Sequence, residues 1–172
     1  MAKWFVLAGA ALVLSAATAR TQNGKTLDIY SIDVEGGQAT LFVSPSGESL
    51  LVDSGNPGDR DADRIAATAK QAGVTRIDYL VVTHYDGDHV GGVKDLSGRL
   101  PIRTFVDHGV RIPPPGAPAL TPDAQANVDR LDQSYLEARA KGRHIEVKAG
   151  DKVPIQGLDV QVVSSKGAVI TR

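Results

Sequence analysis

Cysteine is absent from the 172-residue sequence, and the net charge is only −1, from 19 basic and 20 acidic residues. Without cysteine the chain forms no disulfide, which is compatible with export but does not require it. Without an excess of positive charge it has no general electrostatic field for nucleic acid. The composition, with 42% hydrophobic and 23% charged residues, is typical of a globular protein and gives no sign of disorder.

A long apolar run is also missing. Residues 4–14 are apolar, but this run is shorter than the ~20 residues that a membrane-spanning helix needs, so we expect no stable span. Lys3 precedes the run, and Ala17 and Ala19 follow it as a small-x-small site, which is the layout of a secretory signal peptide. We therefore expect residues 1–19 to be cleaved and the protein to be secreted or periplasmic. An uncleaved membrane anchor is the alternative.

Strand and helix patterns alternate along the rest of the chain, which predicts one α/β domain over residues 20–172. Predicted strands are residues 26–34, 39–43, 49–53, 77–82, 102–106 and 145–147, followed by a hairpin of residues 152–155 and 158–163. Predicted helices are residues 61–72 and a second one that begins at Thr121 and ends at Gly142. The helical crossover makes strands 49–53 and 77–82 parallel, so Asp53 and His84 should lie at one edge of the sheet.

The chemistry is concentrated just after the strand of residues 77–82. Two histidines and two aspartates, His84, Asp86, Asp88 and His89, occupy six positions there. On an extended backbone His84 and Asp86 point the same way, and we expect Gly87 to turn the chain through positive φ. Such a cluster would repel itself if it were empty, and a divalent cation is the usual remedy. Imidazole and carboxylate donors suit zinc, manganese or iron.

The sequence from His84 to His89, followed by Gly91 and Gly92, resembles the H-x-H-x-D-H signature of the metallo-β-lactamase superfamily. The strand ending at Asp53 resembles the upstream motif of that family, and the resemblance covers roughly residues 26–108. Asp86 stands where most members have a second histidine. A similar H-x-D-x-D-H occurs in the hydrolase domains of bacterial DNA-uptake channels.

The resemblance implies that His84 and Asp86 bind a first metal ion and that Asp88 and His89 bind a second. Asp88 would also orient the attacking water or accept its proton, and Asp53 would position the ligands from outside the metal shell. Zinc is the expected cofactor, with up to two ions. The carboxylate at Asp86 should make the first site more tolerant of manganese or magnesium, and iron is a further candidate.

The resemblance also implies a four-layered αβ/βα sandwich of two similar halves, of which this chain would supply the first, a mixed sheet with flanking helices. The missing ligands would then come from a C-terminal half or a partner chain. After His89 the sequence offers only His108 and His144. His108 should reach the edge of the site if its strand is parallel, or else have no chemical role, and we interpret His144 as a surface residue.

The implied function is hydrolysis of an ester, amide or phosphodiester by a metal-activated water. Asp86 tilts this expectation towards phosphodiesters, and the fold alone does not justify a lactamase assignment. The alternative is a non-catalytic metal-binding or structural half-domain that needs a partner or a longer chain. A nucleophilic role for Ser54 is disfavoured, because no oxyanion motif accompanies it. The proline-rich loop of residues 111–118 either walls the site or simply connects two elements.

Overall fold

The computed structural model describes residues 26–113 and 116–171, and the expected signal peptide of residues 1–19 lies outside this range. The strands of the central sheet are β1 Asp28–Ser31, β2 Thr40–Val43, β3 Ser49–Val52, β4 Ile77–Val81, β5 Ile102–Asp107 and β6 Arg143–Glu146. They form one six-stranded mixed sheet in that order. Two short ribbons follow, made of β7 Lys152–Val153 with β8 Val160–Gln161 and of β9 Ser164–Ser165 with β10 Ala168–Val169.

Strand direction within the sheet changes at β3. The pairs β1–β2 and β2–β3 are antiparallel, whereas β3–β4, β4–β5 and β5–β6 are parallel. The register places Val52 beside Val81 and Val81 beside Val106, so the carboxyl ends of β3, β4 and β5 meet at one edge. This confirms the predicted parallel arrangement of the strands that precede Asp53 and His84. The strand before His108 is parallel as well.

In the part of the chain that the structure describes, four helices accompany the sheet: α1 Asp59–Gln71, α2 Gly87–Val90, α3 Val93–Ser97 and α4 Pro122–Arg139. The start of α4 follows the prediction, because the Thr121 hydroxyl caps the amide of Ala124 at 3.3 Å and Pro122 takes the first helical position. The helix ends at Arg139, three residues before Gly142. Its buried face is narrower than its apolar pattern suggests, since only Tyr135 and Ala138 are fully buried.

One face of the sheet carries the main core. Side chains from the strands pack there against α1, α3 and α4, and burial of each large one contributes about 1.5–3 kcal/mol. This core includes Leu41, Leu51, Leu80, Phe105, Ala62, Ile65, Val93, Leu96 and Tyr135. Between them these contacts fix the helices that surround the carboxyl edge of the sheet.

The other face of the sheet is covered in part by the ribbon of β7 and β8. Val153 and Ile155 bury themselves against Leu50, Val106 and Val147. A cleft of about 740 Å³ remains beside this cluster and reaches the carboxyl edge at Thr83 and His108. Within the described ranges, no helix is long and apolar enough to cross a membrane.

Candidate metal centre

The candidate site lies on the segment of residues 83–89, called here the ligand loop, which leaves the carboxyl end of β4. Gly87 does not turn the chain through positive φ as predicted, because it is the first residue of the one-turn helix α2. Asp86, with φ −74° and ψ 151°, is the extended residue before that helix. The change from extended chain to helix therefore brings Asp88 and His89 back beside His84.

Two donor pairs result from this path. The Nε2 atom of His84 lies 3.5 Å from Oδ2 of Asp86, and Nε2 of His89 lies 3.7 Å from Oδ2 of Asp88. The two imidazole rings are tilted by 50° with their centroids 3.9 Å apart, so the pairs are adjacent. Asp86 is the most open of these side chains at 66% exposed and His89 the least at 22%.

Asp53 organises the loop from beneath. It follows β3, is fully buried and has a φ of 58°, a left-handed conformation that aspartate tolerates better than most residues. Its Oδ1 accepts the Thr83 amide at 2.8 Å, and its Oδ2 accepts the Thr83 hydroxyl at 2.7 Å. The same Oδ2 lies 2.8 Å from Nδ1 of His89. One buried carboxylate thus binds both ends of the ligand loop.

For a neutral imidazole ring, these contacts set which nitrogen carries the proton. His89 Nδ1 must donate to the Asp53 carboxylate, so the neutral ring has an unprotonated Nε2. The single hydroxyl proton of Thr83 is donated to Asp53, so His84 Nδ1, 3.1 Å from that hydroxyl oxygen, must donate to it. Both histidines therefore present an Nε2 lone pair to the aspartate of their own pair.

The backbone of the loop is held by two segments from earlier in the chain. The carbonyl oxygen of His89 accepts the Ser54 amide at 2.8 Å and the Ser54 hydroxyl at 3.1 Å, and the Asp88 carbonyl accepts the Gln38 amide at 3.1 Å. Ser54 is fully buried and its hydroxyl donates to a carbonyl. Ser54 therefore acts as a clamp that holds the loop backbone at His89. This structural role agrees with the prediction that Ser54 is not a nucleophile.

Close packing at Gly92 allows this clamp to form. A Cβ atom there would overlap the Ser54 carbonyl oxygen, which is backbone and cannot turn aside. We expect Gly92→Ala to lower the free energy of unfolding by about 1–3 kcal/mol, the usual cost of overpacking. Urea denaturation measures this. Gly36→Ala is the matched control, because a Cβ at Gly36 meets nothing within 4 Å, and equal stability of the two variants would contradict the clamp.

His108 follows β5 at the same edge as the ligand loop. Its ring packs edge-on against Tyr85 with the centroids 4.9 Å apart, and its buried Nδ1 has no hydrogen-bond partner among the described residues. No group of three or more acidic or histidine side chains in the described ranges converges closely enough to hold a metal ion. His108 therefore lines the cleft at the site but completes neither donor pair.

A second polar network lies behind the loop, and the sequence analysis missed it. The buried carboxylate of Asp107 accepts the Tyr135 hydroxyl at 2.6 Å and is paired with Arg139 at 3.2 Å and His144 at 3.0 Å. Burial alone would raise the pKa of Asp107, but the hydrogen bonds from Tyr135, His144 and the Gly109 amide lower it. His144 is exposed, as predicted, but its Nε2 also lies 3.0 Å from Oδ1 of the buried Asp107, a contact that the sequence did not indicate.

Tyr85 connects that network to the ligand loop. Tyr85 lies between His84 and Asp86 in the sequence. Its buried ring packs against the ring of Tyr135, with the centroids 5.7 Å apart, and its hydroxyl donates to the carbonyl of Gly109. Burial, followed by the nearby charge of Asp107, raises the pKa of Tyr85 above its ordinary range. The hydroxyl therefore remains a proton donor, and it holds the segment after β5 against the loop.

The donors of the loop fit a divalent metal in chemistry and in spacing. Two ligands of a tetrahedral zinc, each about 2.0–2.1 Å from the ion, lie about 3.4 Å apart, close to the 3.5 and 3.7 Å of the two pairs. Each pair combines an unprotonated imidazole nitrogen with a carboxylate oxygen. Each pair could thus offer two ligands to one ion, and water or other residues would have to supply the rest of its shell.

Comparison with known proteins gives the same family that the motif suggested. A family profile described as the metallo-beta-lactamase superfamily matches residues 32–168. A metal-dependent hydrolase of Staphylococcus saprophyticus is 33% identical over 63 residues, which are 37% of this chain and 25% of that protein. Hydroxyacylglutathione hydrolase of Stenotrophomonas maltophilia is 34% identical over 74 residues, or 42% of this chain and 26% of the enzyme.

Solved structures extend the match beyond the motif. MEM-A1, a subclass B3 metallo-beta-lactamase isolated from a soil metagenome library, superposes with a TM-score of 0.52 at 22% identity, and the match covers 82% of this chain. At that identity the likeness shows the fold alone. The chain spans 52% of that structure and 18% to 26% of the curated relatives.

Proposed function

The chain belongs to the metallo-beta-lactamase superfamily, whose members are metal-dependent hydrolases, and from this we propose that it serves in an exported hydrolase acting on an ester, amide or phosphodiester. The observation that carries the proposal is the proton arrangement imposed by Asp53. In the neutral rings, the hydrogen bonds of Asp53 and Thr83 leave the Nε2 atoms of His84 and His89 available as metal ligands, each beside a carboxylate.

Roles for the loop residues follow from the two pairs. His84 and Asp86 would hold one ion, and Asp88 and His89 a second. A bound divalent metal supplies a water of lowered pKa and polarises the scissile bond. Asp53 and Thr83 keep both imidazole rings in the correct tautomer and orientation, as partners outside a metal shell generally do. Zinc fits the nitrogen-containing pairs best, with manganese, iron and magnesium as the other candidates.

Asp88 is the residue that we propose to handle the proton of the attacking water. Its carboxylate is 42% exposed, so it is open to solvent and to an incoming substrate while one oxygen faces His89. A carboxylate in that position can orient the water and accept its proton. His108 would contact the substrate, since its buried Nδ1 lacks a partner among the described residues and it lines the cleft that meets the loop.

We propose that the substrate contains an ester, amide or phosphodiester bond. The extra carboxylate at Asp86 favours a phosphodiester. Oxygen donors suit the harder ions that bind phosphate oxygens. Export rests on the sequence of residues 1–19. We propose that the further metal ligands come from a C-terminal half or a partner chain. Two observations support this: each pair offers only two ligands, and this chain matches only about a quarter of the two hydrolases described above.

A second candidate is a metal-binding or structural half-domain without activity of its own. The absence of any group of three metal-binding side chains in the described ranges favours it. Two ligands per ion bind weakly unless other groups complete the shell. The two candidates differ in what metal removal does, because a structural domain would change in stability but show no turnover to lose.

Metal removal tests the proposed function directly. We expect the protein, together with the C-terminal half or partner chain that completes its metal shells, to bind zinc and to hydrolyse at least one chromogenic ester, amide or phosphodiester. Dialysis against a chelator should abolish that turnover. Adding zinc or manganese back should restore it. Elemental analysis and initial rates on the same samples provide the measurement. Metal binding without turnover on any bond type would favour the half-domain candidate, and absence of metal binding by the completed protein would refute the metal-dependent hydrolase.

A further inference from the structure

Arg111 is a charged side chain that joins the segment after β5 to the ligand loop. Its Nη2 donates to Oδ1 of Asp132 at 2.8 Å, and its Nε lies 3.2 Å from the same carboxylate. Nη2 also donates to the backbone carbonyl of Tyr85, and the guanidinium lies 5.5 Å from the centre of the Tyr85 ring. Four contacts on one rigid, planar group hold it in place without any help from Asp86.

The remaining nitrogen of Arg111 faces Asp86. Nη1 lies 3.6 Å from Oδ1 of Asp86, while Oδ2 of the same carboxylate lies 3.5 Å from Nε2 of His84. The two oxygens of Asp86 therefore have different surroundings. One faces a fixed positive charge, and the other faces an imidazole lone pair.

We propose that Arg111 is a positioning residue that restricts Asp86 to binding a metal ion through Oδ2 alone. This inference rests on the proposed function, since it assigns a role to Arg111 in the same site. Zinc in proteins is usually four-coordinate, whereas manganese and magnesium prefer six ligands rich in oxygen. A carboxylate that offers one oxygen suits the first kind of ion better than the second.

The arrangement offsets what aspartate would otherwise do at this position. An unconstrained Asp86, at 66% exposed, would be free to turn and to offer both oxygens to one ion. An isolated surface ion pair would not prevent this, because such pairs contribute little to holding a side chain in place. Arg111 differs from an isolated partner, since Asp132 and Tyr85 hold the guanidinium at the loop whether or not Asp86 is engaged.

The charge of Arg111 acts in the same direction as its geometry. A divalent ion bound through both oxygens of Asp86 would approach the guanidinium, and like charges at short range in a partly buried site repel. Arg111 is only 24% exposed, so water screens this repulsion less than at the open surface. An ion bound through Oδ2 lies on the far side of the carboxylate, towards His84.

The test compares zinc and manganese affinities of the whole chain by competition with a chromophoric chelator. We expect Arg111→Gln to raise manganese affinity relative to zinc affinity by about tenfold, within the range of effects usual for residues outside the metal shell. Arg64→Gln is the matched control, because it also removes one positive charge, from an exposed pair with Asp33 that includes no residue of the ligand loop. The control should leave the ratio unchanged.

The effect must also depend on Asp86. In an Asp86→Asn background, Arg111→Gln should no longer change the ratio, which a double-mutant cycle shows directly. Arg111→Lys keeps the charge but loses the fork that is anchored on Asp132, so its ratio should lie between those of the wild type and Arg111→Gln. Because the lysine variant keeps a cation at this position, it also tests the proposal if the glutamine variant does not fold.

The outcomes separate this inference from the function on which it rests. A wild-type protein that binds neither ion, even when the C-terminal half or partner chain completes its metal shells, overturns the metal-dependent function, and the role of Arg111 with it. A wild type that binds zinc, with equal metal ratios for Arg111→Gln and Arg64→Gln, overturns the inference alone. A shift in ratio that persists unchanged without the Asp86 carboxylate also overturns it, because Arg111 would then act through another group.

Discussion

Asp53→Asn is expected to weaken zinc binding by about 10- to 100-fold although Asp53 need not touch the ion. In the variant, the asparagine oxygen can still accept a hydrogen bond from the Thr83 amide. Its NH₂ group, however, takes the place of Oδ2, the atom that accepts from the Thr83 hydroxyl and His89 Nδ1 in the wild type. Two donors cannot face each other, so His89 must shift its proton to Nε2. That proton occupies the position where the metal would bind.

The change also reaches His84 through Thr83. Once Asp53 no longer accepts the Thr83 hydroxyl proton, that proton is free to turn towards His84 Nδ1, 3.1 Å away. His84 then carries its own proton on Nε2, like His89. Asp53→Asn replaces one oxygen atom by nitrogen, yet it removes the imidazole ligand from both metal-binding pairs.

Zinc titration against a chromophoric chelator measures this effect, and Asp78→Asn is its matched control. Asp78 is also a buried aspartate of the sheet, and it accepts the amide and hydroxyl of Ser49 at 3.1 and 3.2 Å, near the start of β4. Each variant should lose about 1–3 kcal/mol of stability from its broken hydrogen bonds. Only Asp53→Asn should lose zinc affinity, and equal losses in the two variants would show that general destabilisation is the cause.

Asp88→Asn should reduce turnover by about 10²- to 10⁴-fold, the range that loss of a general acid or base usually produces. The amide cannot accept a proton from water, and it is a poorer metal ligand than the carboxylate. Because the side chain is exposed at the surface of the loop, stability should change by no more than about 0.5 kcal/mol. The rate is measured on whichever substrate the metal-dependent assay identifies.

Asp159→Asn is the control for that experiment. Asp159 is another exposed aspartate, 75% exposed and paired with Lys152 at 2.6 Å on the ribbon of β7 and β8. It should keep full turnover. If Asp88→Asn kept it as well, with its metal content intact, another residue would have to take the proton and the proposed role of Asp88 would be rejected.

The arrangement of strand ends at the carboxyl edge of the sheet was predictable, because it follows from patterns within short stretches of sequence. Apolar runs marked the strands, the helical crossover made them parallel, and parallel strands bring their ends together. Asp53 and His84 could therefore be placed side by side from spacing alone. The motif from His84 to His89 then supplied the chemistry, although the expected turn at Gly87 proved to be the start of a helix.

Arg111 and the partners of Asp107 could not be found in the same way. Arg111 lies in a proline-rich loop with no periodic pattern, and its contacts with Asp132 and Asp86 depend on how α4 packs. His144 likewise pairs with Asp107, 37 positions away, through the register of β5 and β6. Polar pairs of this kind leave no local signal in one sequence.

The contacts of Ser54 and Asp53 with His89 have a consequence for how the site comes into being. They join positions that are 35 and 36 residues apart, so they exist only after β3, α1 and β4 have assembled. A peptide of residues 78–92 would contain all four donors, yet nothing would hold its imidazole tautomers or its backbone. Contacts of such long range form late and slowly compared with helices and hairpins. The capacity to bind metal should thus appear during refolding together with the parallel sheet, and not before it.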